Sequence, residues 1–345
     1  MGPLASQCAT IMAGVMTVDL PTLIGARLAV GFRGAEATAE LIDALRRLRA
    51  QSLVVFSRNV ASASQFTRLI RQLEEGVGHP LWVMVDHEGG RVIRFADGVT
   101  RFPDARSIGR AHDPSQVERQ GATEAEELRR LGVRVNLAPC VDVLVPGSDP
   151  VIGDRSYGED PGLVAALGAA RIRGLQTHGV AACAKHFPGL GAVPRDPHRL
   201  LPTIVLDQAA MDAVHLPPFA AAIQAGVTMV MSSHVCYPNL GEPAGLPATF
   251  SRRLIHELLR RRLGFDGLIL TDDLEMGALR SFGSIGEAAV RATEAGHDLL
   301  LVCSDLQSSQ DVVQSLESAY RRGRLSMEEL TISAQRIESC RRKFS

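Results

Sequence analysis

Aromatic side chains are scarce in this 345-residue chain: one Trp, three Tyr and 11 Phe make up 4% of it. A ligand pocket built from such a sequence has to rely on charged hydrogen bonds more than on stacking. Lysine is scarcer still, since of 37 basic residues only Lys185 and Lys343 are not arginine. A lysine kept against that background is a candidate for work that needs a compact ammonium rather than a planar guanidinium. The formal net charge is −1, with acids and bases interleaved. That leaves no basic stripe for a nucleic acid and no polybasic segment for a membrane surface. No apolar run approaches the roughly 20 residues of a membrane span. The first basic residue is Arg27, so the start of the chain lacks the charged region of a secretory signal, and the expected location is cytoplasmic. The six cysteines are scattered without a C-x-x-C pair and read as buried, reduced thiols.

What the sequence does have is regular alternation. Short apolar runs that read as buried strands recur at 28–32, 53–57, 81–86, 133–138, 180–185, 228–232, 267–271 and 298–302. Segments with helical spacing lie between them, at 36–50, 63–75, 116–131, 162–178, 207–225, 252–263 and 285–295, with further helices after the eighth strand. Eight strand-then-helix units predict a parallel (β/α)8 barrel. No G-x-G-x-x-G follows the first strand, which counts against a doubly wound open sheet. Nor does any linker divide the chain. Residues 21–345 are expected to form one domain, 1–20 a loosely held extension, and 89–113 and 140–160 the main loop insertions.

In such a barrel the working groups sit at the C-terminal ends of the strands. Those ends carry Asp86, His87, Glu88 and Arg91 after the third, Asn136 and Asp142 after the fourth, Lys185 and His186 after the fifth, Ser233 and His234 after the sixth, and Asp272 and Asp273 after the seventh. Each has an ordinary structural reading as well. Asp272 or Asp273 could cap the next helix, Glu88 could pair with Arg91 or Arg94, Gly89-Gly90 could be a tight turn, and His234 could be a hydrogen-bonded core histidine. Five clusters converging on one mouth favour a site. Asp86, Arg94, Arg155 and Lys185 suit a small, hydroxyl-rich ligand. Asp272 offers a carboxylate able to attack an electrophilic carbon, while Asp196 and His198 are spaced for a carboxylate-imidazole pair. A nucleophile plus a proton donor suffices for double displacement.

The motifs V-D-H-E-G-G-R-V-I-R-F (85–95), V-I-G-D-R-S-Y-G-E-D-P (151–161), K-H-F-P-G-L-G with D-P-H (185–198), M-S-S-H-V-C-Y-P (231–238), P-A-T-F-S (247–251) and G-L-I-L-T-D-D-L-E-M (267–276) carry a resemblance. From about Ala26 onward the chain resembles the single-domain bacterial β-N-acetylglucosaminidases of glycoside hydrolase family 3, the β-hexosaminidases of cell-wall recycling. That resemblance implies a retaining enzyme, without cofactor or metal, that removes terminal N-acetylglucosamine from peptidoglycan fragments; a monomer is expected. It assigns Asp272 as the nucleophile, His198 as the acid/base and Asp196 as its orienting partner. By the same matching, Asp86, Arg94, Arg155, Lys185 and His186 bind the sugar.

Leu190, Pro197 and His87 depart from the family pattern, where histidine, a small hydroxyl residue and glutamine are usual. Pro197 restricts its own φ and biases Asp196 toward extended backbone, so a stiffer acid/base loop is expected. Three other readings compete: a metal-dependent hydrolase using His186, His198 and His234, a Schiff-base lyase using Lys185, and a sugar-binding barrel that has lost catalysis.

Overall fold

A computed structural model of the chain describes residues 19–148, 150–194, 196 and 201–345. Eight parallel strands form a closed barrel in chain order: β1 (Leu28–Gly31), β2 (Ser52–Val55), β3 (Trp82–Val85), β4 (Val135–Asn136), β5 (Ala181–Phe187), β6 (Met229–Ser232), β7 (Leu268–Asp273) and β8 (Leu299–Val302). Closure runs through β1 and β8, with Leu28 opposite Leu300 and Val30 opposite Val302. Arg27 reinforces this seam from below. Almost wholly buried, it donates to the carbonyls of His297 and Asp298 and to the Tyr320 hydroxyl.

The strands read as continuous apolar runs because both of their faces are covered. Ala29, Val54, Trp82, Met84, Val135, Cys183, Met231 and Leu270 fill the barrel interior. Leu28, Val30, Leu53, Val55, Val83 and Val85 face the helical layer with the helices' own apolar stripes. The helices begin where polar side chains satisfy free backbone N–H groups: Thr38 caps Ala39–Leu48, Ser62 caps Ala63–Val77, Asp160 caps Pro161–Thr177 and Ser284 caps Ile285–Ala295. Two further helices, Leu306–Arg321 and Met327–Lys343, follow β8.

The expected segment at 252–263 is helical, but Arg253–Arg262 is wound as a π-helix, as is Met211–His215 inside the expected 207–225 segment. Hydrophobic spacing fixes the buried face of a helix and does not distinguish these windings over so few turns. The insertion at 89–113 contains one short helix, Ala105–Gly109, and that at 140–160 a single turn, Gly153–Arg155. The described cysteines are free thiols, buried except for the half-buried Cys340. Among the described residues no helix is long and apolar enough to cross a membrane.

Helices Pro114–Arg130 and Pro161–Thr177 pack closely because Gly121 meets Gly174. A Cβ on Gly174 would lie 2.2 Å from the Glu118 carbonyl oxygen. Gly174→Ala must push these helices apart and is expected to cost about 2 kcal/mol or more, read as a lower urea midpoint at unchanged m-value.

Candidate active site

The register of β3 decides how the site is built. Successive extended residues point to opposite sides, so Asp86 and Glu88 face the barrel mouth while His87 between them turns out toward the helical layer, against Phe95, and is buried. Gly89 and Gly90 then reverse the chain with φ of +103° and +54°, values that side-chain-bearing residues rarely adopt. Each glycine also lies against the backbone of 102–104, leaving no room for a Cβ.

Lys185, from β5, ends between the two acids. Its Nζ lies 2.6 Å from Asp86 Oδ1 and 2.6 Å from Glu88 Oε1. Arg155 grips Glu88 through both oxygens, at 2.8 and 2.7 Å, and Arg94 reaches Asp86 Oδ2 at 3.4 Å. Burial alone would raise both acids, but Lys185 and Arg94 hold Asp86 below its ordinary range. Arg155 and Lys185 hold Glu88 far lower. Burial lowers Lys185 less than Asp86 and Glu88 raise it, so the ammonium is held above its usual range. A lysine so firmly protonated lacks the free amine that Schiff-base chemistry needs. The expected pairing of Glu88 with Arg91 or Arg94 is replaced: Arg91 pairs with Asp154 at 2.6 Å, across the rim. Arginines three and six residues beyond Glu88 could not be ranked by spacing, because the partner is chosen by the 150–155 turn.

His186 is fixed by Asp142, a residue noted only for its place at a strand end. Asp142 accepts from His186 Nδ1 at 2.7 Å, from the His186 backbone N–H at 3.2 Å and from Leu190 N–H at 2.6 Å. The Cys140 thiol donates to it at 3.3 Å. Burial pushes Asp142 up and His186 pulls it further down, leaving it below the ordinary carboxylate range. Cys140, Asp142 and His186 bring three potential metal-ligand atoms within 4.8 Å of one another. Asp142 accepts four hydrogen bonds, two of them from His186 and one from Cys140, so the three form a hydrogen-bonded trio in this structure. His234 lies elsewhere, its Nδ1 2.6 Å from Thr249 Oγ1 and its Nε2 2.9 Å from the Asp273 carbonyl oxygen. Among the described residues His234 is not grouped with His186 as a candidate metal ligand, and His198 lies outside them.

A cavity of about 340 Å³ opens at the mouth, and Asp86, Glu88, Arg94, Arg155, Lys185, His186 and Asp272 all line it. Asp272, the next-to-last residue of β7, is half-buried, with Oδ1 accepting the Asp273 N–H at 2.8 Å. Neither aspartate caps the next helical turn. Asp273 instead accepts from Glu275 N–H and Cys303 N–H, and burial raises its carboxyl to about 7. Leu190, Met276 and Phe56 supply apolar wall; Phe56 lies under the guanidinium groups of Arg58 and Arg94 at 4.3 and 5.6 Å. Asp196 is half-buried, whereas His198 and Pro197 lie outside the described residues.

Residues 23–340 match the glycosyl hydrolase family 3 N terminal domain. The chain belongs to this family of glycoside hydrolases. It is 39% identical over 292 residues to a beta-hexosaminidase of Thiobacillus denitrificans, covering 81% of this chain and 80% of that one. Among solved structures it is similar to a family 3 beta-N-acetylglucosaminidase of Paenibacillus sp., with a TM-score of 0.91 and 38% identity over 94% of this chain. This chain spans 62% of that larger protein. A beta-N-acetylhexosaminidase of Beutenbergia cavernae aligns with a TM-score of 0.85 and 30% identity, covering 93% of this chain and 98% of that one.

Replacing Glu88 by Gln leaves Lys185 and Arg155 short of a buried counter-charge and is expected to cost about 3 kcal/mol at pH 7. Because the folded-state pKa of Glu88 is depressed, the contribution is complete above the unfolded value near 4.5 and fades as the pH falls below it. Urea unfolding of both proteins at pH 7 and pH 4 should show the gap narrowing at the lower pH.

Proposed function

We propose that the chain is an exo-acting, retaining β-N-acetylglucosaminidase that releases terminal N-acetylglucosamine from peptidoglycan fragments. The observation that carries this reading is the Asp272 carboxylate on the same small cavity as Asp86, Lys185, Arg155 and His186. Such a cavity takes one sugar ring, and its charged groups hold hydroxyls in fixed positions. The names and coverage of the relatives support the substrate class.

In this reading Asp272 attacks the anomeric carbon as the glycosidic C–O bond breaks, giving a glycosyl ester. His198 donates its proton to the departing oxygen, with Asp196 orienting the ring. Water then adds to the anomeric carbon, gives its proton to His198 and frees Asp272, so the product keeps the β configuration. The mechanism uses no metal or cofactor. Arg94 and the Asp86 and Glu88 carboxylates shared with Lys185 orient the ring. The same reading has the enzyme acting as a monomer in the cytoplasm.

An aryl N-acetyl-β-glucosaminide should be hydrolysed with release of the phenol, and Asp272→Ala should lower kcat by about 10³-fold or more. A fluorosugar that traps the glycosyl ester should label the peptide containing Asp272. Label on any other carboxylate removes the assignment, and no phenol release by the wild type removes the activity.

A further inference from the structure

Behind the sugar-facing turn lies a second tier of polar groups that never reaches the cavity. Glu124, on helix Pro114–Arg130, and Arg171, on helix Pro161–Thr177, form an ion pair with side-chain exposures of 0% and 1%. Their remaining atoms are poorly served: Glu124 Oε1, Arg171 Nε and Nη1, and the nearby Gln120 Nε2 have no hydrogen-bond partner among the described residues. A buried ion pair left so incomplete is a weak source of stability compared with apolar packing. Its position suggests a different use.

Asn136, the last residue of β4, lies against the Glu124 carboxyl. It also takes hold of both polar groups of one residue in the turn. Its Oδ1 accepts the His87 N–H at 3.0 Å, and its Nδ2 donates to the His87 carbonyl at 2.8 Å. Two such bonds fix the rotation of the backbone at His87. Since side chains alternate along extended chain, they also fix the direction of Asp86 and Glu88, which flank it. The His87 ring completes the hold by accepting the Arg94 N–H at Nδ1, at 3.2 Å. Burial first, then the Arg171 and Arg94 charges, lower this histidine to about 4. The ring is therefore neutral near pH 7, and the hydrogen bond from Arg94 requires its proton to sit on Nε2.

We propose that His87, Asn136 and Glu124 are positioning residues: they set sugar affinity by holding Asp86, Glu88 and Arg94 in register from behind. None of them touches the sugar. The hold is geometric, since Lys185 meets both acids at 2.6 Å only while their backbone keeps this rotation.

This inference rests on the proposed hydrolase activity, and KM and kcat for the aryl glycoside test it with the melting temperature as a control for folding. His87→Phe keeps the ring volume and removes the acceptor for Arg94. It should raise KM about tenfold while kcat falls much less. His87→Gln carries an oxygen that can accept the same N–H and should return KM to within about twofold of the wild type. Glu124→Gln, nearly isosteric and further from the cavity, should raise KM about threefold. A purely structural role would lower the melting temperature of these variants and leave KM alone. Unchanged KM in folded His87→Phe and Glu124→Gln overturns the proposal, as does an equal KM for the Phe and Gln variants at position 87. If His87→Phe does not fold, an unchanged KM in Glu124→Gln is enough to overturn it. A wild type that releases no phenol fails the activity reading instead. Calorimetric affinity for N-acetylglucosamine then decides positioning by the same ratios.

Discussion

An ammonium held 2.6 Å from two carboxylates is the contact on which the mouth of this barrel depends. Lys185 is 1% exposed, and a charge buried that deeply is tolerated only with close counter-charges and well-directed hydrogen bonds. Asp86 and Glu88 provide them, and each acid is in turn met by an arginine. The set forms an alternating string, Arg94, Asp86, Lys185, Glu88, Arg155, in which every charge has an opposite neighbour. Removing either acid strips one arginine of its partner, and removing a base leaves an acid with one counter-charge in place of two. The string also spans three parts of the fold, the β3 turn, the 150–155 turn and β5, so the electrostatics and the loop geometry are one constraint.

This arrangement accounts for the composition. With so few aromatic rings, the chain places charge where other carbohydrate sites use stacking, and Phe56 is itself covered by two guanidinium groups. It also accounts for a lysine at position 185: a guanidinium there would present a planar fork to two carboxylates that converge on a single point.

Much of this was legible in the sequence. The strands were readable because parallel strands buried on both faces give uninterrupted apolar runs, and all eight fall within two residues of their expected starts. Asp86, Lys185, His186 and Asp272 were grouped by their places at strand ends that share one face, Arg94 and Arg155 by charge and motif alone, and all six line one cavity. Pairings were not readable. Glu88 is joined to Arg155, 67 residues away, and His186 to Asp142, 44 residues away; such contacts are set by loops whose path no periodicity encodes. The π winding at Arg253–Arg262 was hidden for a related reason, since the apolar stripe records which face is buried and not how the hydrogen bonds are threaded. Asn136 and His87 carried a faint signal in their places at strand ends, without any indication that each would bind the other.

The seam between β1 and β8 carries its own lesson about the cost of closing a ring. Arg27 reaches the carbonyl of Asp298, 271 residues further along the chain, yet the entropy of joining distant points grows only with the logarithm of their separation, by about 0.6 kcal/mol for each doubling. Compared with two neighbouring strands some 25 residues apart, the last pairing is dearer by only about 2 kcal/mol on that scale. A few buried hydrogen bonds at Arg27 are of the size needed to offset it. The ring is therefore hardly harder to hold shut than any of its other joints; its burden falls on time, because a contact of this span is among the slowest for a folding chain to find.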